Sequence, residues 1–235
     1  MKNNIKYFLC LLIILILPKA AYAQNCHDVK MNFTNSKGEI INVVSKTNDK
    51  NSLSQAQIQE LIDSNNLREG ETLTIYEVSD GKNSDCQNNS SREIDKFNNV
   101  NLNFLSGFKN RTYINSSKEV ALNDYFITSA AKDLNIKLSS TYTRTVTTSI
   151  IAGTAFAKGD IGGSITAEYK ETQSFKGPPE NSYFNSREYR VKFYGNKVSF
   201  TQYKINSSSN KVIDKKTDKA LIPTRFSMYS IDRRI

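Results

Sequence analysis

Residues 136–156 read IKLSSTYTRTVTTSIIAGTAF and residues 161–175 read IGGSITAEYKETQSF. In the first stretch the even positions run Ile136, Leu138, Ser140, Tyr142, Arg144, Val146, Thr148, Ile150, Ala152, Thr154 and Phe156, while the odd positions from Lys137 to Ser149 are almost all Ser or Thr. A period of two sustained this long marks a β-strand with two chemically different faces. The second stretch alternates in the other parity, with Ile161, Gly163, Ile165, Ala167 and Tyr169 on one face and Gly162, Ser164, Thr166, Glu168 and Lys170 on the other. A two-residue loop at Lys158-Gly159 predicts a hairpin that pairs Phe156 with Ile161, Ala152 with Ile165, Ile150 with Ala167 and Tyr142 with Phe175, so that both apolar sets share one face. A slip by one residue would set Ile150 against Glu168. The same register places Arg144 diagonal to Glu171, an expected ion pair at the end of the apolar band.

From Val146 to Phe156, and from Ile161 back to Glu171, each strand offers about 11 residues of uncharged face, within the ~9–11 that a transmembrane β-strand needs. Residues 137–175 resemble the insertion hairpin of aerolysin-like (ETX/MTX2-type) β-pore-forming toxins. Residues 130–231 also resemble small secreted β proteins of low-GC bacteria. The toxin resemblance implies a homo-oligomer in which each copy contributes one hairpin to a closed barrel, leaving no backbone group unpaired in lipid. It implies that Val146, Ile150, Phe156, Ile161, Ile165 and Tyr169 face lipid and that the Ser/Thr face lines the lumen. An antiparallel sheet with one solvated face gives the same alternation. The leading expectation is therefore a secreted, non-enzymatic β protein that binds at surfaces, with membrane insertion of the hairpin as the alternative.

The first residues are ordered as an export signal: Lys2 and Lys6, the apolar Tyr7 to Leu17, and Ala21-Tyr22-Ala23 as a small-residue cleavage site. The apolar run is well short of the ~20 residues of a membrane-spanning helix. Cleavage after Ala23 predicts a secreted or periplasmic protein. It removes Cys10 and leaves Cys26 and Cys86, an even number in an oxidising compartment, so a disulfide between them is expected. Closing that loop is worth ~4 kcal/mol. The formal charge of +9 becomes +6 once Lys2, Lys6 and Lys19 are gone. This excess favours anionic partners such as membrane lipids or cell-surface polymers. Nucleic acid is not expected, because the basic residues form no sequence stripe interleaved with aromatics.

Outward from the hairpin, the pattern predicts a mainly β fold of antiparallel sheets, sandwich-like or elongated, with a small N-terminal α+β unit at 24–91 and a β domain at 92–235. In the first unit, Asp28 to Phe33 and Glu39 to Val44 read as strands joined by the turn residues Asn35 to Gly38. Ser54 then opens a helix with Gln57 in the capping-box position and Ile58, Leu61 and Ile62 as its buried stripe. Thr72 to Val78 alternates as a strand. Residues 92–135 keep no period and are expected to form short strands and loops. Gly195-Asn196 predicts a two-residue hairpin between Arg187–Tyr194 and Lys197–Ile205 that pairs Val191 with Phe200. Asn206 to Asn210 is a further turn, followed by a short charged strand and a final strand from Leu221 to Ile231 with Pro223 near its edge.

His27 is the only histidine. No Ser/His/Asp set, Cys/His dyad or metal-ligating cluster can be assembled around it, so no catalytic residue, metal or cofactor is assigned. Carboxylates are scattered without a pairing that sequence can defend, which leaves a carboxylate-based secreted hydrolase as a third, minor reading.

Overall fold

Asn35 folds the chain back on itself because its side chain satisfies the turn: Oδ1 accepts from the backbone N–H groups of Lys37 and Glu39, both at 2.9 Å, and Gly38 takes the left-handed conformation at φ +83°. The turn joins β1 (Val29–Thr34) to β2 (Ile40–Ser45) in an antiparallel pair. This computed structural model describes residues 28–47, 52–79, 107–151, 153, 155 and 161–235. The expected signal peptide, His27, the Cys26–Cys86 pair, Phe156 and the Lys158-Gly159 turn lie outside the described residues.

Ser54 caps α1 (Gln55–Ser64) as predicted, with both halves of the capping box formed. The helix makes the crossover that a parallel pair requires, and β3 (Thr72–Ser79) returns alongside β2 with Val43 opposite Leu73. Ile58, Leu61 and Ile62 face this unit and form one core with Ile41, Val43, Leu73, Ile75, Tyr229 and Ile231.

The remaining chain is built on three long strands, β4 (Phe108–Ala131), β10 (Ser186–Asn206) and β11 (Val212–Arg233). Together with the first unit they form a sheet ordered β1-β2-β3-β11-β10-β4, in which only the β2–β3 pair is parallel. The fold is mainly β, as expected.

Three expectations about these strands are corrected, the first being that the short charged strand and the final strand from Leu221 are one continuous strand, β11. Residues 108–131 form one unbroken strand instead of short pieces. As the last strand of the sheet order, β4 leaves most of its side chains exposed, and three register shifts against β10 break its alternation, so no period is sustained. Gly195-Asn196 is not a turn either: β10 runs straight through it, and Val191 stands opposite Met228 and Tyr125 instead of Phe200. A Cβ at Gly195 would collide with the Ile222 carbonyl oxygen and Leu122 Cδ1. Glycine is needed here for close backbone approach at a bulge, where the register against β11 shifts. Pro223, which has no N–H to donate, sits opposite Gly195 within this central strand. The turn at Asn206 forms as expected, its Oδ1 accepting from Ser208 and Ser209 N–H at 3.0 and 2.9 Å, and it closes the β10–β11 hairpin.

The two faces of the sheet are separated by strand parity. On β10, Tyr194 belongs to the helix-side core while Tyr189, Val191 and Phe193 belong to a second core on the other side. On β11, Tyr229 and Ile231 point to the helix, and Phe226 and Met228 point away. A second layer covers that opposite face, and the described residues of 135–151 and 161–176 form it.

Candidate functional site

The alternating segment folds as a cover over the sheet. Its root is the short pair β5 (Asn135–Lys137) and β9 (Ser174–Lys176), and its body is the pair β6 (Tyr142–Thr147) and β8 (Ser164–Tyr169). Beyond Thr148, whose N–H still donates to the Gly163 carbonyl at 3.0 Å, the ribbon opens, and β7 (Ser149–Ile150) leaves to pair with Leu221 and Ala220 of β11.

The predicted division into two faces is present. Val146, Ile165, Ala167, Tyr169 and Phe175 point inward and pack with Tyr76, Ile127, Tyr189, Val191, Phe193, Phe226 and Met228. Phe175 meets Tyr189 edge-on with ring centroids 5.0 Å apart. Thr143, Thr145 and Thr147 face outward opposite Glu168, Thr166 and Ser164, and the hydroxyls of Thr145 and Thr166 are hydrogen-bonded at 2.9 Å. The cover is therefore polar where it meets solvent and apolar where it meets the sheet.

The register differs from the expected one. Tyr142 pairs with Tyr169 instead of Phe175, and Val146 with Ile165, while Ile136 takes Phe175 as its partner. Period-two alternation fixes which residues share a face but is blind to slips by an even number. Packing decides the offset: Ile161, only 2% exposed, joins Val198, Phe200, Ala220 and Ile222, with Ile150 and Ala155 against them, and this holds Ile150, Ala155 and Ile161 on the sheet. Gly162 permits the approach, since a Cβ there would strike the Thr148 hydroxyl. The Arg144–Glu171 ion pair is not formed. Arg144 sits opposite Ala167 and lies over the rings of Tyr142 and Tyr125, at 4.9 and 5.7 Å from their centroids.

Of the hairpin residues singled out from sequence, Val146, Ile165 and Tyr169 meet in one core, and Ile150 and Ile161 meet in the neighbouring one. Sequence reasoning did not identify the surface that receives them. Tyr76, Tyr189 and Phe226 come from three strands distant in the chain, and only the parity of Tyr189, Val191 and Phe193 hinted at a second buried face.

The attachment of the cover rests on side-chain packing. Among the described residues its strands join the main ladder only through the β7–β11 pairing, extended by Ile151 N–H to the Lys219 carbonyl at 2.8 Å. Hydroxyl bonds from Tyr142 to the Phe126 carbonyl at 2.8 Å and from Tyr189 to the Lys176 carbonyl at 2.6 Å reinforce it. Burial pushes the Tyr189 phenol above its ordinary range, so it remains a protonated donor. Val146, Ile165, Tyr169 and Phe175 are each 8% exposed or less. At ~1.5–3 kcal/mol per buried side chain, these four contribute roughly 6–12 kcal/mol to closure, an upper bound.

At the root, a cavity of ≈ 260 Å³ opens between cover and sheet, walled by the Tyr76, Phe175 and Tyr189 rings and by Lys46, Lys176 and Arg187. Arg187 is held by a bidentate pair with Asp232 at 2.5 and 2.7 Å, which keeps it firmly protonated. No group of three or more His, Cys, Asp or Glu side chains that could hold a metal ion occurs among the described residues. Compared with known proteins, the chain matches no family model, no curated relative and no solved structure.

Proposed function

We propose that this protein is a membrane-inserting, pore-forming β protein whose residues 137–175 leave the sheet and enter the bilayer as an amphipathic hairpin. One observation carries the reading. The segment with transmembrane-strand alternation is a separate layer, its apolar face packed on an aromatic sheet face and its Ser/Thr face outward, joined to the main ladder through two residues of β7. Lipid would rebury the same side chains that closure buries, so insertion replaces one apolar contact with another. Oligomerisation would then supply the backbone partners that a lone hairpin lacks in lipid.

A second reading, surface binding without insertion, is favoured by the cavity at the root, where aromatic rings and cations line one space. A cross-strand disulfide separates the two. Ser149 and Leu221 are direct partners, and the side chains of such pairs stand ~4.5–5.5 Å apart at Cβ. Protein beginning at Gln24 is expected to release dye from liposomes. The oxidised Ser149→Cys/Leu221→Cys variant is expected to release none, and reductant should restore leakage in the variant to the level of wild type treated with the same reductant. Absence of leakage across lipid compositions and pH, from a protein that stays monomeric, would overturn insertion in favour of binding.

A further inference from the structure

The charge of the molecule is not spread over it. Residues 24–235 carry a net +6. Beyond the Gly195 bulge, the three long strands continue as the far half of a ribbon formed by residues 107–119 and 196–222. That half contains nine Lys and Arg against Glu119, Asp214 and Asp218, which is itself +6, so everything else sums to zero. Two of the three acids are already engaged: Glu119 pairs with Arg225 at 2.9 Å, and Asp218 is buried and accepts the Lys219 N–H at 2.8 Å.

The same end exposes apolar and aromatic side chains among its cations. Phe108, Tyr113, Ile114, Val212 and Ile213 are all exposed. Lys204 lies over the Phe108 ring at 4.6 Å and Lys215 over Tyr203 at 5.7 Å, and Tyr113 meets Tyr203 edge-on. Lysines around exposed aromatics and aliphatics suit the boundary of an anionic bilayer, where headgroups take the charge and the rings and branched chains enter below them. An anionic polymer in water would meet the lysines but would leave Ile114, Val212 and Ile213 without a role.

The cover points toward this end. Its strands run from the root at β5 and β9 to Ile150 and Ile161, which rest on Ala220, Val198 and Phe200 within the far half. We propose that the far end of the β4–β10–β11 ribbon is a docking surface for anionic lipid headgroups, and that it brings the end of the cover at Ile150 and Ile161 to the membrane first. The proposal extends the pore-forming reading but is tested separately, because docking is read by co-sedimentation and insertion by leakage.

The experiment uses the chain from Gln24, with phosphatidylcholine vesicles prepared with and without phosphatidylglycerol. Co-sedimentation is expected only with the anionic vesicles and should weaken with salt. Lys204→Gln/Lys211→Gln/Lys215→Gln is expected to weaken it on the order of 100-fold, at about 1 kcal/mol per lysine and 1.4 kcal/mol per tenfold. Lys30→Gln/Lys37→Gln/Arg68→Gln removes the same charge from the exposed surface of the N-terminal unit and is expected to bind as wild type. Val212→Ser/Ile213→Ser should lose the binding that survives in high salt. Matching thermal unfolding midpoints establish that each variant is folded. Equal loss in both triple variants, equal binding to neutral vesicles, or capture by soluble polyphosphate with no vesicle binding would each overturn the proposal. Docking without leakage would support it while removing the pore reading.

Discussion

The two faces of the central sheet are covered in different ways. On one side α1 is part of a parallel crossover, capped at Ser54 and tied at its end by polar side chains: Asn65 Nδ2 donates to the Tyr229 hydroxyl at 3.1 Å, Tyr229 donates to Asp124 at 2.6 Å, and Asp124 accepts from Arg190 at 3.0 Å. Burial and the adjacent Asp124 carboxylate push the Tyr229 phenol up, so it stays a neutral donor in that chain. On the other side the cover is held mainly by rings and branched aliphatics, with two residues of ladder pairing. Hydrogen-bonded networks specify one geometry, whereas apolar packing is non-directional and can be exchanged for another apolar surface. The helix side is the frame, and under the proposed insertion the hairpin side is the part that would be exchanged.

The comparison breaks most severely on the frame. Leu61→Ala, at a fully buried position of α1, is expected to cost about 2–5 kcal/mol. Urea unfolding should show a lower midpoint with unchanged slope, because the whole domain loses stability together. Phe175→Ala removes an equally buried side chain from the cover but is expected to open it locally. Amide exchange should accelerate across Tyr142–Thr147 and Ser164–Tyr169 while α1 and β3 stay protected. Its effect on global unfolding should be smaller than that of Leu61→Ala, because the cover can open while the frame stays folded. If exchange accelerates equally in both layers, the cover is not a separate unit. The smallest change sharpens the frame alone: Gln57→Ala removes the acceptor that serves both the Ser54 N–H and Arg225, and a loss of about 1 kcal/mol is expected from thermal unfolding, with hairpin exchange unaltered.

How much could be read from sequence follows from the range of each interaction. The Asn35–Gly38 turn, the Ser54/Gln57 capping box and the Ile58-Leu61-Ile62 stripe are local rules, and they form as expected. The two faces of Tyr142–Thr147 and Ser164–Tyr169 were legible for the same reason. Gly195-Asn196 misled because a glycine suited to a turn is equally suited to a bulge, and the strands that settle the choice, β4 and β11, come from elsewhere in the chain. The basic end of the ribbon was illegible for a related reason: Lys109, Arg111, Lys204 and Lys215 lie on three strands and Lys211 in the turn between two of them, so their cluster exists only after folding. The sequence therefore showed a charge excess without its location.

The offset of the cover strands has a further consequence. Tyr142 faces Tyr169 here, whereas a tight turn at Lys158-Gly159 would bring it opposite Phe175, six residues further along. Because six is even, both alignments keep Val146, Ile165 and Tyr169 on the same side, and the slide amounts to roughly 20 Å at ~3.3 Å per residue. One alternation thus encodes two ribbons, a short one that fits the protein and a longer one with no slack at its tip. Sliding between them would behave like a vernier, changing reach while leaving the identity of each face untouched.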